Sequence, residues 1–176
     1  TAGLFAQRMG LPIMNFIAAN NANDIFYNYL LSGIYSPKAS IQTIANAMDV
    51  GDPSNFARIL DLYKSSHAEI CNHISGATYS DDDIAATMKK CYEQTGYVLD
   101  PHGACGYQAL KDNLKEGETG VFLETAHPAK FKEKVDAILS TDIEIPTRLA
   151  DFMKGKKQSL EMAADFSAFK QFLLSV

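Results

Sequence analysis

Short apolar runs alternate with helical segments along the first 139 residues, and no other feature constrains the fold as tightly. Ile13 to Ala19 carries no charge and is bounded by Pro12 and an asparagine cluster. Gly76 to Ser80 is a second short extended piece, and Gly120 to Thr125 is a third apolar run. The first and third have the composition of strands buried on both faces. Helical segments lie between them. Residues 2–9 have helical spacing at Leu4, Phe5 and Met9 and stop at Gly10 and Pro12. Asp24 to Leu31 is amphipathic and ends at Gly33. Residues 34–51 read as irregular. Asp52 as cap with Pro53 at the first helical position predicts a helix through Phe56, Ile59, Leu60 and Tyr63. A helix over 66–74 follows. Ser80 followed by three aspartates starts another, to about Gln94, because carboxylates favour the positive end of a helix dipole. Asp100 and Pro101 open a helix to about Leu114, and His127 and Pro128 open one to about Leu139. Two further helices are expected at 147–153 and 165–174.

Strands separated by helices imply right-handed crossovers and a parallel sheet. The predicted fold is α/β and helix-rich, with short parallel strands flanked by helices. Residues 1–139 form the α/β domain, and 140–176 form a helical tail packing on it. A net charge of −5 leaves no basic face for a nucleic acid. No apolar run is long enough to cross a membrane. Cys71, Cys91 and Cys105 form no CxxC pair, so neither a zinc ribbon nor a disulfide framework is indicated, and reduced, cytoplasmic thiols fit best.

Ligands of open α/β sheets bind beyond the carboxyl ends of the strands. Two such ends carry polar side chains: Asn20 to Asp24, and Thr125 to Pro128. Helix capping accounts for Asn23 and Asp24. For Thr125, capping and a ligand contact stand level. The loop from Ala47 to Asn55 mixes small and apolar residues in a way a solvated loop does not need. His102 is a candidate site residue. Cys105 reads more readily as a small buried residue than as a nucleophile. His67, Cys71 and His73 lack the convergent ligands a metal requires.

Four stretches together resemble one family, the threonine synthases. They are Thr1-Ala-Gly-Leu-Phe-Ala-Gln-Arg-Met-Gly-Leu-Pro with Phe16-Ile-Ala-Ala-Asn-Asn-Ala-Asn-Asp-Ile, then Asn46-Ala-Met-Asp-Val-Gly-Asp-Pro-Ser-Asn-Phe-Ala-Arg58, then Leu99-Asp-Pro-His-Gly-Ala, then Thr125-Ala-His-Pro-Ala-Lys-Phe131. They stand in the family's order. The resemblance implies a fold type II enzyme using pyridoxal 5'-phosphate, converting O-phospho-L-homoserine and water to L-threonine and phosphate. Thr125 then matches the hydroxyl facing the pyridine nitrogen, and Ala126 and His127 match the neighbouring wall. Met48, Asp49 and Gly51 match the loop beside the cofactor ring. Thr1 falls just past the phosphate loop. His102 lies in a family motif, whereas Gly103, Ala104 and Cys105 depart from the family's usual residues.

The resemblance also implies that no catalytic residue lies in this chain. The Schiff-base lysine is expected upstream of Thr1, in an amino-terminal half, and Lys130 is too near Thr125 to replace it. The chain alone is then expected to be inactive and not to hold the cofactor covalently. A homo-oligomer through the exposed cut surface is compatible with this. Two alternatives stand: a related dehydratase acting on serine or threonine, and a non-catalytic small-molecule binding module. The Asn46–Arg58 signature speaks against the dehydratase.

Overall fold

The computed structural model describes residues 1–175. Clustering of contacts gives two compact units, Thr1–Ile143 and a second from Glu144 onward. In the first unit, β1 (Phe16–Asn20) pairs in parallel with β2 (Ile74–Thr78), with Phe16 opposite Ile74 and Asn20 opposite Thr78. A parallel pair needs a long crossover. Here it contains α2 (Ile25–Ser32), α3 (Phe56–Leu62) and α4 (His67–His73). The helix before β1 is α1 (Ala2–Arg8); those after β2 are α5 (Asp81–Thr95), α6 (Pro101–Asn113) and α7 (Lys132–Leu139). The second unit contains α8 (Thr147–Met153) and α9 (Phe166–Ser175). The α/β architecture with a short parallel sheet agrees with the sequence reading.

Alternation along β1 divides the core in two. Phe16 and Ala18 pack on a cluster made by Leu4, Tyr29, Phe56, Ile59, Ile70 and Ile74. Ala19 packs on a second cluster, in which Ile84 and Met88 of α5 meet Ala104 and Cys105 of α6 and Val135 of α7. Full burial of an isoleucine or methionine contributes about 1.5–3 kcal/mol. These two clusters hold the strands between helical layers.

Several helix boundaries follow the predicted devices. Ser80 and Asp83 form a reciprocal capping box on α5, and the Asp100 carboxylate accepts from the His102 N–H at the start of α6. Gly33 and Gly96 end α2 and α5 in the left-handed conformation.

Four expectations are corrected. The first strand starts at Phe16, not Ile13, and Met14 is exposed. The helix expected from Pro53 starts at Phe56. Asp52 does not cap it, because its carboxylate accepts from the Tyr35 hydroxyl (2.7 Å). His127 and Pro128 open a 3-10 turn over Pro128–Phe131 before α7 begins.

The fourth correction concerns 120–125, which is not a ladder strand buried on both faces. It lies along α6 with alternate residues inward. A side chain at Gly120 would overlap Leu110, Phe122 stacks edge-on with Tyr107 (5.4 Å), and Glu124 reaches Asp100. Val121 and Leu123 point away and are 82% and 76% exposed. Among the described residues no strand pairs with this segment.

Candidate functional site

The carboxyl end of β1 borders a cavity of about 340 Å³, within the size range of small-molecule sites. Its walls include Phe16, Phe26 and Phe56, with polar groups from Thr1, Asn20 and Asn23. Met48 and Val50 line it from the loop that follows α2. The cavity therefore joins Thr1 to Met48, two residues singled out from distant parts of the sequence. The Thr1 hydroxyl does not cap α1; it accepts from the Asn55 side-chain amide (3.2 Å). None of the lining residues is a lysine.

Asp49 has a different surrounding from Met48. Its Oδ1 accepts from Thr43 Oγ1 (2.7 Å), Asn21 Nδ2 (2.8 Å) and Asn23 Nδ2 (3.1 Å), and its Oδ2 accepts from the Thr43 N–H (3.0 Å). Asn21, Asn23 and Thr43 are buried. Buried donors need partners, and one carboxylate supplies most of them here. Asn23 is thus part of this network and caps nothing; its Oδ1 accepts from the Ile41 N–H (2.7 Å). Asp24 stands at the start of α2, yet its carboxylate pairs with Lys38 (2.6 Å) instead of the helix N–H groups. Gly51 is buried against the Lys38 backbone, where any Cβ would overlap the carbonyl. It accepts from Lys38 through its own carbonyl (3.0 Å). The 3-10 turn at Asn46–Met48 is therefore anchored by Asp49 to the segment that follows β1 and fastened beyond it by Gly51.

Thr125, Ala126 and His127 do not line the cavity. Thr125 and His127 are exposed and Ala126 is half-buried. His127 Nδ1 accepts from the Ala129 N–H (3.1 Å), so this imidazole caps the 3-10 turn.

His102 has two defined partners. Its Nε2 accepts from the Ala47 N–H (3.0 Å), and its Nδ1 lies 2.6 Å from Asp100 Oδ1. A backbone N–H only donates, so Nε2 carries no proton and Nδ1–H donates to the carboxylate. The contact is thus a hydrogen bond from a neutral imidazole, not an ion pair. Asp100 is fully buried. Burial opposes its charge, but hydrogen bonds from His102 and Glu124 outweigh that and hold its pKa below the ordinary value. Glu124, like Thr43 beside Asp49, is a site neighbour the sequence reading missed. Burial first, then the neighbouring Asp100, push its pKa up to about 7. Burial likewise pushes the Cys105 thiol up to about 12, helped by the Asp100 and Asp81 charges, which removes it as a nucleophile at neutral pH.

Comparison with known proteins gives a consistent relationship. A family described as "Pyridoxal-phosphate dependent enzyme" matches residues 2–125, and one described as "Threonine synthase, C-terminal" matches 103–173. The chain is 44% identical to a threonine synthase of Haemophilus influenzae over 99% of its own length and 40% of that protein. It is similar to the crystal structure of threonine synthase from Escherichia coli, with a TM-score of 0.82 and 40% identity, over 99% of this chain and 40% of that one. It is equally close in fold to a PLP-bound threonine synthase from Brucella melitensis, with a TM-score of 0.82, 31% identity, and 98% and 42% of the two chains covered. The chain thus spans about 40% of the length of the curated relatives it matches.

Proposed function

The chain belongs to the pyridoxal-phosphate dependent enzymes, and on that footing we propose that it is the carboxyl-terminal part of a threonine synthase, acting on O-phospho-L-homoserine and water to give L-threonine and phosphate. The observation that supports this most directly is the match of residues 103–173 to the threonine synthase carboxyl-terminal family, beside the match of residues 2–125 to the pyridoxal-phosphate dependent enzymes. Bound to the full protein, pyridoxal 5'-phosphate supplies an electron sink for the loss of a proton next to the amino group.

The residues of this chain then form one wall. Met48 contacts the ring, while Asp49 and Gly51 hold the loop that presents it. Thr125 faces the pyridine nitrogen, with Ala126 and His127 beside it. A neutral hydroxyl there does not keep that nitrogen protonated as a carboxylate does, so electron withdrawal is moderated. The lysine comes from the amino-terminal partner region. Three free cysteines accord with a cytoplasmic protein, and no helix among the described residues is long and apolar enough to cross a membrane.

The test uses the full protein that carries this chain. Given O-phospho-L-homoserine, it is expected to release threonine and phosphate in equal amounts. Thr125→Ser is expected to retain activity and Thr125→Asp to lower kcat more than about tenfold, a loss of about 1.4 kcal/mol in transition-state stabilisation. Equal rates for the wild-type protein and Thr125→Asp would remove Thr125 from the ring nitrogen. Conversion of serine or threonine to an oxo acid and ammonia, without action on the phosphorylated substrate, would establish the dehydratase instead.

A further inference from the structure

Two buried oxygens, Asp100 Oδ2 and Glu124 Oε2, have no hydrogen-bond partner, and the two carboxyl groups are close enough to act on each other. All remaining polar atoms around them are accounted for. Asp100 Oδ1 accepts from the His102 N–H (2.8 Å) and from His102 Nδ1 (2.6 Å), and Glu124 Oε1 accepts from the Asp100 N–H (2.9 Å). Two facing ionised carboxylates repel, and leaving two buried acceptors unpaired is costly. One proton between them removes both penalties. No lysine or arginine acts on either group. The other titratable neighbours are His102 on the same turn, Cys105 on α6, and Tyr97 before it; burial raises the pKa of both Cys105 and Tyr97, so both stay neutral and add no charge. Gly103 completes the arrangement, because a Cβ there would occupy the place of the Glu124 carboxyl.

We propose that Asp100, His102 and Glu124 form a positioning brace. A proton held on Glu124 Oε2 and donated to Asp100 Oδ2 ties the segment leading into Thr125 to the first turn of α6. His102, on that same turn, ties it to the loop at Ala47, next to Met48. One helix start thereby fixes both stretches assigned to the cofactor wall. The consequence for the cofactor rests on the proposed threonine synthase reading; the shared proton does not. None of the three residues is assigned contact with the reacting atoms.

The test is made on the full protein with its side-chain carboxyls labelled with carbon-13, the Glu124 signal being identified by its loss in Glu124→Gln. Glu124 is expected to titrate well above the ordinary glutamate range, and Asp100→Asn is expected to move that midpoint down. Glu124→Ala is expected to weaken pyridoxal 5'-phosphate binding about ten- to hundredfold, as misplacement of a supporting group does. Glu124→Gln, which keeps a donor in place, is expected to recover most of that loss. An ordinary titration of Glu124, or a Gln variant as impaired as the Ala variant, overturns the brace. A high Glu124 midpoint with cofactor binding unchanged in both variants supports the shared proton and overturns the assignment of this wall to the cofactor.

Discussion

Asp49 shows how far a single side chain can differ from its motif reading. Its resemblance to a residue beside a cofactor ring is reconciled with its inward hydrogen bonds if the loop, not the carboxylate, is what the ring meets. Asp49→Ala leaves the Thr43 N–H and hydroxyl without their acceptor, whereas the Asn21 and Asn23 amides keep the Ala45 and Ile41 carbonyls, and it is expected to cost about 1–3 kcal/mol for each donor left unsatisfied. Asp49→Asn keeps one acceptor oxygen but sets an amide N–H₂ against donors, so it should fall between Ala and wild type. Urea midpoints of the full protein measure both, and an Ala variant as stable as wild type would contradict the network. Gly103→Ala makes a second prediction at this scale. Its methyl displaces Glu124, and overpacking of this kind costs about 1–3 kcal/mol. Little of this was legible in the chain. A buried aspartate network depends on donors from Asn21, Asn23 and Thr43 converging in space, and spacing alone does not report convergence. Glu124 looked like the polar end of an apolar run; the only hint was a helix start, Asp100-Pro-His-Gly, with a glycine where no turn needed one.

At the scale of elements, local devices were read well and tertiary pairing was not. The start of α5 follows from Ser80 and its aspartates because the capping box is made within four residues. The hydrogen bonds from Ser80 hold the Asp83 carboxyl below its usual pKa. Its folded value lies under its unfolded one, so its contribution is present above the unfolded value and is lost as pH falls through the folded one. Ser80→Ala is expected to cost about 1 kcal/mol, with a smaller difference from wild type in acid, measurable as the gap between their urea midpoints at two pH values. The start of α3 was misplaced because Asp52 had an equally good local role and was claimed by Tyr35, seventeen residues away. The segment 120–125 has strand composition and extended alternation. What makes a strand, however, is a partner, and α6 covers only one face. Apolar composition therefore identified the segment but not its neighbours.

For the whole molecule, the Glu124 and Asp100 carboxyls act on stability in opposite directions. Glu124 has its folded pKa raised from 4.5 to about 7, so its contribution is full below the unfolded value and is lost as pH rises through the folded one. Asp100 is depressed, and its contribution is lost as pH falls below 3.8. Stability should therefore decline between about pH 5 and about pH 8, and Glu124→Gln should flatten that decline; denaturant titrations at those two values decide it. A second expectation concerns surface. Within the first unit, Met9, Met14, Val121 and Leu123 are each more than three-quarters exposed. Under the proposed reading, the amino-terminal region of the full protein covers part of this surface, and the unpaired backbone of 120–125 is where an added strand would dock. Leu123→Cys, placed on the outward side, is expected to react with a thiol reagent much more slowly in the full protein than in residues 1–176 expressed alone, with the rate for the exposed Cys71 as the reference. Equal rates in the two proteins would mean that nothing covers this face, and the partner region would then have to supply its lysine from elsewhere on the molecule.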